Sequence, residues 1–221
     1  MDIGRQQEVI MSNTSTNRQP RFFKPVFAAM LSALIILMTF TGIGYIPIGP
    51  LKLTFNVLPV AVGAVLLGPL YGAILGAVFG LSSFFTCFGM DALGVLFLGI
   101  NPFLLFVMCV VPRILCGLLP ALLFKTFPKT NAGEIFGSAI CCMLTAVLNT
   151  VGFLSLMWIF FAQDLISNPK VLELLGGVSI DSIITLFVMF AGVNALIEAG
   201  ICLLLGSAIC KALMKMVKKY C

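Results

Sequence analysis

The sequence contains no histidine, and only 10% of its 221 residues are charged. Soluble domains carry about 25% charged residues, so this composition excludes an ordinary soluble protein. The lack of histidine removes the commonest side chain for acid–base chemistry and for metal binding at neutral pH. None of the eight cysteines forms a C-x-x-C pair. We therefore expect neither a metal site nor a redox site, and no cofactor.

Motifs for nucleotide binding and catalysis are absent as well. The chain has no G-x-x-x-x-G-K-[ST] and no glycine-rich turn between a strand and a helix. Without histidine, no serine has a recognisable base and orienting partner. We therefore expect that the protein is not an enzyme and has no catalytic residues. If it moves a solute uphill with ATP, the ATPase must be another chain.

Long apolar runs dominate what is present. Hydrophobic residues make up 61% of the chain, and its mean hydropathy is +1.17. At about 20 residues per span, the length suffices for about six spans with short loops. We expect an all-α integral membrane protein, a bundle of six transmembrane helices at residues 24–45, 54–67, 70–88, 102–124, 135–161 and 183–213. As domains we expect a polar tail at 1–23, the bundle at 24–217 and a basic tail at 218–221.

The basic residues predict the orientation of the bundle. Ten of the thirteen lysines and arginines fall at or next to the two ends of the chain, up to Lys24 and from Lys211 on, or in the loop after residue 124. Basic residues of this kind stay in the cytoplasm, so both termini are expected on the cytoplasmic side of the cell membrane. Because the positive charge clusters beside the spans, the net charge of +5 indicates orientation, and no nucleic-acid partner is expected.

The connections between spans carry their own signals. Residues 44–53 are rich in glycine and proline, cannot continue a helix, and predict an ordered outer loop carrying Lys52. Pro59 is expected to interrupt the second span, and Gly68-Pro69 to form a tight turn. The apolar segment 89–101 is expected to fold as a lid over the outer mouth of the bundle.

Two groups of small residues suit close helix packing. Gly72, Gly76 and Gly80 form a stripe on the third span, which indicates either close packing or slack facing lipid. Ala29 and Ala33 have the small-x-x-x-small spacing that lets two helix backbones approach closely.

Glu198 is a carboxylate deep inside the last apolar run. An ionisable residue at such a position costs at least ~2.5 kcal/mol, so it usually faces a bundle interior or a polar cavity. Asn194 lies one helical turn earlier on the same face. The pair predicts a polar patch that faces a ligand. The alternative is a structural role, in which Glu198 pairs with Arg113 or with a backbone donor.

Other polar groups interrupt the apolar runs and loops. Amides and a few charges amid apolar walls suit recognition of a small polar molecule. The candidates are Lys52, Asn56, Asp91, Asn101, Arg113, Asn149, Asn194 and Glu198. Arg113 lies near the middle of the fourth span by count, although its long side chain can snorkel towards water.

Six short motifs, taken in order and spacing, resemble the substrate-binding S component of energy-coupling factor (ECF) vitamin transporters. They are Ala29-x-x-x-Ala33, YIPIGPLKL at 45–53, LLGPLYG at 66–72, VPRIL at 111–115, LNT at 148–150 and NALIEA at 194–199. The pantothenate-type branch is the most similar. The resemblance implies a six-helix bundle that binds one vitamin near its outer face. It also implies a membrane coupling protein and two cytoplasmic ATPases as partners.

The resemblance also implies roles for residues. Ala29 and Ala33 would meet the coupling protein, and Asn149, Asn194 and Glu198 would line the pocket. Other branches bind riboflavin, thiamine or folate. A thiamine pocket would use Glu198 as a counter-charge. Pantothenate, itself an anion, needs a cation such as Lys52 or Arg113 and would use Glu198 only to accept hydroxyl or amide protons. The predicted substrate-binding residues are therefore six: Lys52, Asn101, Arg113, Asn149, Asn194 and Glu198.

Two other classes of protein remain open at this point. A stand-alone secondary transporter or channel would use Glu198 as a proton relay, although no internal repeat of two inverted halves is visible in the chain. A purely structural membrane subunit would bind no small molecule.

Overall fold

A computed structural model describes residues 20–48, 51–128, 130–167 and 192–220. In chain order the elements are α1 (Pro20–Phe40), β1 (Tyr45–Ile48), β2 (Leu51–Thr54), α2 (Val57–Leu67), α3 (Pro69–Thr86), α4 (Ala92–Ile100), α5 (Pro102–Phe124), α6 (Asn131–Ser167) and α7 (192–220). Helix α7 includes a π-helical turn at Cys202–Gly206 and then continues as Ser207–Tyr220.

Five of the described helices are long and apolar enough to cross a membrane. They are α1, α3, α5, α6 and the Gly192–Met214 part of α7. The predicted second span is α2, which has only 11 residues. At 1.5 Å per residue it is about 16 Å long, whereas the hydrocarbon core is about 30 Å thick. The expectation of an all-α bundle is therefore supported for five of its six spans. Of the sixth predicted span, residues 183–191 lie outside the described residues.

Helix α2 forms the centre of the bundle. Ten of its eleven residues are buried, as expected for a helix that is apolar on every side. Pro59 does not interrupt this helix, contrary to the sequence prediction. It is the third helical residue, and in the first turn its missing N–H removes no helical hydrogen bond.

The predicted tight turn between the second and third spans is confirmed. Gly68 alone connects α2 to α3, with φ at 95°, a value that glycine tolerates and that other residues rarely adopt. Pro69 then occupies the first position of α3, where proline is favoured.

The glycine stripe of α3 lies inside the bundle, where it packs against α5. A Cβ atom on Gly76 would meet the backbone carbonyl of Arg113, and one on Gly80 would lie 2.8 Å from Cα of Val110. Close packing is therefore the correct interpretation of this stripe, and the alternative of slack facing lipid is wrong. Because the two backbones touch, α3 fixes the position of the middle of α5.

The outer loop at 44–53 is a β-hairpin. Its antiparallel strands pair Tyr45 with Thr54 and Ile48 with Leu51. Helix α1 ends at Phe40, five residues earlier than predicted, because the chain turns at Gly42, where φ is 74°. The hairpin therefore begins where the sequence predicted the last turn of a helix.

The apolar segment at 89–101 contains a helix that the sequence analysis did not predict. Asp91 caps the start of α4 by accepting a hydrogen bond from the backbone N–H of Gly94, at 2.9 Å. Phe97 is fully buried and stacks on Phe161 of α6 with ring centres 4.4 Å apart. Backbone angles at Phe161 are not helical, so α6 is kinked at this contact. Helix α4 is therefore anchored to the end of the bundle.

Helices α6 and α7 extend beyond their predicted ends. Helix α6 begins four residues before the predicted span and ends six residues after it, at Ser167. Helix α7 continues to Tyr220, so most of the predicted tail at 218–221 is helical. Of the tail predicted at 1–23, residues 1–19 lie outside the described residues, as does the segment 168–182.

Candidate functional site

A cavity of about 300 Å³ lies at the end of the bundle that carries the hairpin and α4. Its walls come from the ends of α1 and α3, the hairpin, α4, α5, α6 and α7. Pockets for small molecules measure roughly 300–1,000 Å³, so the cavity suits a small ligand. It brings together Arg113, Asn149, Asn194 and Glu198, four of the six residues predicted to bind substrate.

Glu198 is held by donors from two other parts of the chain. Its Oε1 accepts from the backbone N–H of Thr54, at 2.7 Å, and its Oε2 accepts from the hydroxyl of Thr150, at 2.7 Å. Asn149 and the Thr54 hydroxyl add side-chain hydrogen bonds to the same carboxylate. A backbone donor therefore does bind Glu198, as the structural alternative required. Among the described residues it forms no ion pair with Arg113, and it also lines the cavity.

The two asparagines each offer an unused acceptor. Asn149 and Asn194 are 4% exposed, and the Oδ1 atom of each has no hydrogen-bond partner among the residues that the structure describes. A buried polar atom left in this state costs about 1–3 kcal/mol. A ligand hydroxyl or amide N–H would recover this free energy. Because both asparagines line the cavity, their amides are candidate acceptors for a donor-bearing molecule.

Arg113 lies between two aromatic rings. Its guanidinium carbon is 4.9 Å from the centre of the Phe79 ring and 4.8 Å from that of Phe153. One nitrogen, Nη1, donates to the backbone carbonyl of Cys109 at 2.8 Å, while Nε has no partner within the described ranges. The side chain is 6% exposed, so it remains in the bundle and does not snorkel to water. Cation–π contacts of this kind stabilise the charge and fix the plane of the guanidinium.

Two predicted residues are not placed in the cavity. The Oδ1 of Asn101 accepts from the backbone N–H groups of Phe103 and Leu104, so this residue caps α5 and does not line the cavity. An asparagine directly before a proline and a long apolar run is the signature of a helix start, and it could have indicated this role. Lys52 lies on β2 opposite Pro47, and its side chain lies outside what the structure describes.

Several cavity residues were not among the predicted candidates. The most important are Thr54 and Thr150, the two donors to Glu198. Thr150 is adjacent to the predicted Asn149. A threonine in the middle of an apolar span could have indicated a polar role for this residue as well. Thr54 contributes its backbone N–H, and no sequence pattern signals such a role. The wall also includes Thr39, Ser83, Thr86, Cys87, Cys109 and Phe153.

The two predicted partner-facing alanines lie on α1, outside the cavity wall. Ala29 and Ala33 are exposed, whereas the adjacent Ala28 is buried against the core of the bundle. The alanine pair therefore lies on an outer face of the molecule.

Comparison with known proteins gives two matches. A family model described as "ECF transporter, substrate-specific component" matches residues 24–209. The pantothenic acid transporter PanT of Lactococcus lactis subsp. cremoris (strain MG1363) is 29% identical over 202 residues, which cover 86% of this chain and 92% of the relative. The resemblance found in the short motifs, to this family and to its pantothenate-type branch, is confirmed. With five helices of membrane-spanning length among its described residues, the chain is a multi-pass membrane protein, and it belongs to the family of substrate-specific components of ECF transporters.

Proposed function

We propose that this protein binds pantothenate and delivers it to a membrane coupling protein driven by two cytoplasmic ATPases. The observation that carries the ligand assignment is Arg113, a buried cation on the cavity wall with no carboxylate partner among the described residues. Burying a charge without a partner is costly, so the site is complete only when an anion binds. The sequence relation to PanT supports the same ligand.

The carboxylates of the cavity support an anionic ligand and argue against thiamine. Glu198 already accepts from Thr54 and Thr150, and Asp91 caps α4. Each acidic group therefore already accepts hydrogen bonds from the protein. A cationic ligand would compete with these donors and would also meet Arg113. An anion can instead bind the guanidinium directly.

The rest of pantothenate also fits the cavity chemistry. The molecule has an amide, two hydroxyl groups and a pair of methyl groups besides its carboxylate. Its donors match the unpaired Oδ1 atoms of Asn149 and Asn194. Its methyl groups match the apolar wall formed by Leu105, Met108 and Phe153. We therefore place the carboxylate at Arg113 and the hydroxyl groups towards Asn149, Asn194 and Glu198, which would accept their protons.

Calorimetry on the purified protein tests this assignment. Pantothenate should bind, while thiamine and riboflavin should bind far more weakly or not at all. Mass spectrometry of small molecules released from the protein after purification gives an independent reading. Release of a different vitamin, or tight binding of thiamine, would show that pantothenate is not the substrate.

We propose that the cavity end of the bundle faces the outside of the cell. Lys24, Lys125 and Lys211 lie at or towards the opposite helix ends, which supports cytoplasmic termini. In this arrangement residues 24–217 form one bundle. Helix α2, which follows α1 in the chain, is then a membrane segment in addition to the five longer helices. It can be short because its neighbours shield it from lipid.

The replacement Glu198→Gln should weaken pantothenate binding and leave folding largely intact. The glutamine Oε1 can still accept from the Thr54 N–H, and its amide can donate to the Thr150 hydroxyl, which can rotate to accept. The variant loses the negative charge and, with it, the charge-assisted hydrogen bond to a ligand hydroxyl. Losing one charge-assisted hydrogen bond costs about 1.5–3 kcal/mol, which is a loss of about 10- to 150-fold in affinity.

Calorimetry measures the affinity of this variant, and thermal unfolding in detergent measures its stability. The replacement Asn101→Gln, at a side chain outside the cavity, is the control for a general loss of stability. Unchanged affinity for Glu198→Gln would show that the carboxylate does not serve the ligand. A variant that fails to insert would instead support a purely structural role.

The hairpin and the 89–101 segment should become more protected from hydrogen exchange when pantothenate binds. The cavity is bounded by Tyr45 and Thr54 on one side and by Leu93, Gly94 and Phe97 on the other. Ligand contacts there should reduce opening of both segments. Exchange measured by mass spectrometry with and without pantothenate tests this, with the α5–α6 connection at 125–130 as the internal control. Equal exchange in both segments at saturating ligand would contradict a lid at this position.

A further inference from the structure

A second polar cluster, formed by Thr39, Asn56 and Ser82, is buried beneath the hairpin. Of the three residues, only Thr39 also lines the cavity. Asn56 is fully buried, and its Nδ2 donates to the Thr39 hydroxyl at 2.8 Å. The Thr39 hydroxyl in turn lies 3.3 Å from that of Ser82. Thr39 and Ser82 also donate to the carbonyls of their own helices. The cluster therefore joins the start of α2 to α1 and α3.

Asn56 also fills the space at the base of the hairpin. The base is closed by a hydrogen bond from the Phe55 N–H to the Gly44 carbonyl, at 2.9 Å. A Cβ atom on Gly44 would overlap Oδ1 of Asn56, so the two residues are in direct contact. The first pair of the hairpin, Tyr45 with Thr54, begins immediately above this contact, and both residues line the cavity.

The hairpin needs such an anchor. Each of its strands has four residues, and an isolated two-stranded hairpin is at best marginally stable. Its Thr54 N–H must nevertheless stay 2.7 Å from Oε1 of Glu198, a residue 144 positions away in the chain. Any shift of the hairpin base would lengthen this hydrogen bond.

Asparagine at this position is not explained by stability alone. The Oδ1 atom of Asn56 is buried and has no hydrogen-bond partner among the described residues. Such an atom destabilises a folded chain. The Thr39 hydroxyl is satisfied without Asn56, because it donates to the carbonyl of Ile35 at 2.8 Å. What Asn56 adds is a fixed link between the hairpin base and the helix bundle.

We propose that Asn56 is a positioning residue for ligand binding, which anchors the hairpin base to α1 and α3 so that the Thr54 amide stays bound to Glu198. The inference rests on the proposed function of the cavity. Asn56 itself does not line the cavity, so it acts through the hairpin.

The first experiment compares Asn56→Ala with Asn101→Ala. Both replacements remove an asparagine at the cavity end of the bundle, but the Asn101 side chain caps α5 by accepting from the backbone N–H groups of Phe103 and Leu104. In the ligand-free protein, Asn56→Ala should accelerate hydrogen exchange of the 45–54 amides about 10-fold, the effect of one lost buried hydrogen bond, and Asn101→Ala should not. Pantothenate affinity should fall by about the same factor only in Asn56→Ala.

The second experiment tests the contact with Gly44. The single replacement Gly44→Ala should push the Asn56 side chain away from Thr39 and accelerate hairpin exchange. In the double variant Gly44→Ala/Asn56→Ala the smaller side chain leaves room for the new methyl group. The second replacement should then add less than about 2-fold to the effect of the first. Additive effects would show that the two residues act independently and would overturn the anchor.

The outcomes separate this inference from the proposed function. If the unmodified protein binds pantothenate and Asn56→Ala changes neither its affinity nor hairpin exchange, the anchor is wrong and the proposed function stands. If the unmodified protein binds no pantothenate, the proposed function fails, while hairpin exchange in the ligand-free variants still decides the anchor. Equal acceleration over the whole chain in Asn56→Ala would indicate general unfolding and would also overturn it.

Discussion

The replacement Arg113→Gln should abolish the ability of the protein to distinguish pantothenate from pantothenol, in which an alcohol replaces the carboxylate. In the unmodified protein the guanidinium is held between Phe79 and Phe153, and its Nε has no partner in the described part of the chain. Removing one member of a buried charge pair costs about 2–5 kcal/mol. We therefore expect pantothenate affinity to fall by about 30-fold or more, and pantothenol affinity to change much less.

Two further variants make this comparison specific. Lys125→Gln removes an exposed cation just beyond the far end of α5 and should leave both affinities unchanged. Arg113→Lys keeps the charge but loses the planar group that stacks between the rings, so it should retain part of the preference. Calorimetry gives the affinities, and thermal unfolding verifies that each variant is folded. A preference for pantothenate that survives in Arg113→Gln would place the ligand carboxylate elsewhere.

Helix boundaries followed from the sequence where local chemistry determines them. Helix α5 runs from Pro102 to Phe124, the bounds predicted, because Asn101 caps it, proline suits its first position and Lys125 follows it. Helix α1 was predicted too long because apolar residues continue into the hairpin. In Tyr45–Ile48 the pairing with a second strand determines the structure, and a local apolar pattern cannot show that pairing.

The candidate site was partly predictable for a similar reason. Charged and amide side chains within apolar runs are conspicuous, so Arg113, Asn149, Asn194 and Glu198 were found from the sequence alone, and all four line the cavity. Their partners were not found. The donor from Thr54 is a backbone group 144 positions from Glu198, and only the folded chain brings the two together.

The double replacement of Ala29 and Ala33 by tryptophan should abolish transport without affecting ligand binding. Both alanines are exposed on α1, which is the least enclosed of the five membrane-length helices in the described part of the chain. Hydrophobic burial gives no drive between helices in lipid, so a contact there depends on close van der Waals approach across small residues. Bulky side chains would separate α1 from the proposed coupling protein.

We expect co-purification with the coupling protein and ATP-driven uptake to fall together, by about 10-fold or more, since two helix backbones held apart lose most of their packing contacts. Pantothenate affinity should persist, because α1 reaches the cavity only with Thr39 near its last turn. Leu34→Trp is the control, since it places a tryptophan at an exposed position of α1 about a quarter-turn away from Ala33.

The same measurements separate the proposed assembly from a stand-alone transporter. A secondary transporter that uses Glu198 as a proton relay would take up pantothenate in vesicles containing this chain alone, and a protonophore or Glu198→Gln would stop it. If uptake and co-purification both persist in the alanine double variant, the contact with the coupling protein lies on another face. If pantothenate affinity is lost as well, Ala29 and Ala33 pack inside the bundle. Loss of uptake and co-purification with unchanged affinity is the result expected only when α1 forms the contact with the coupling protein.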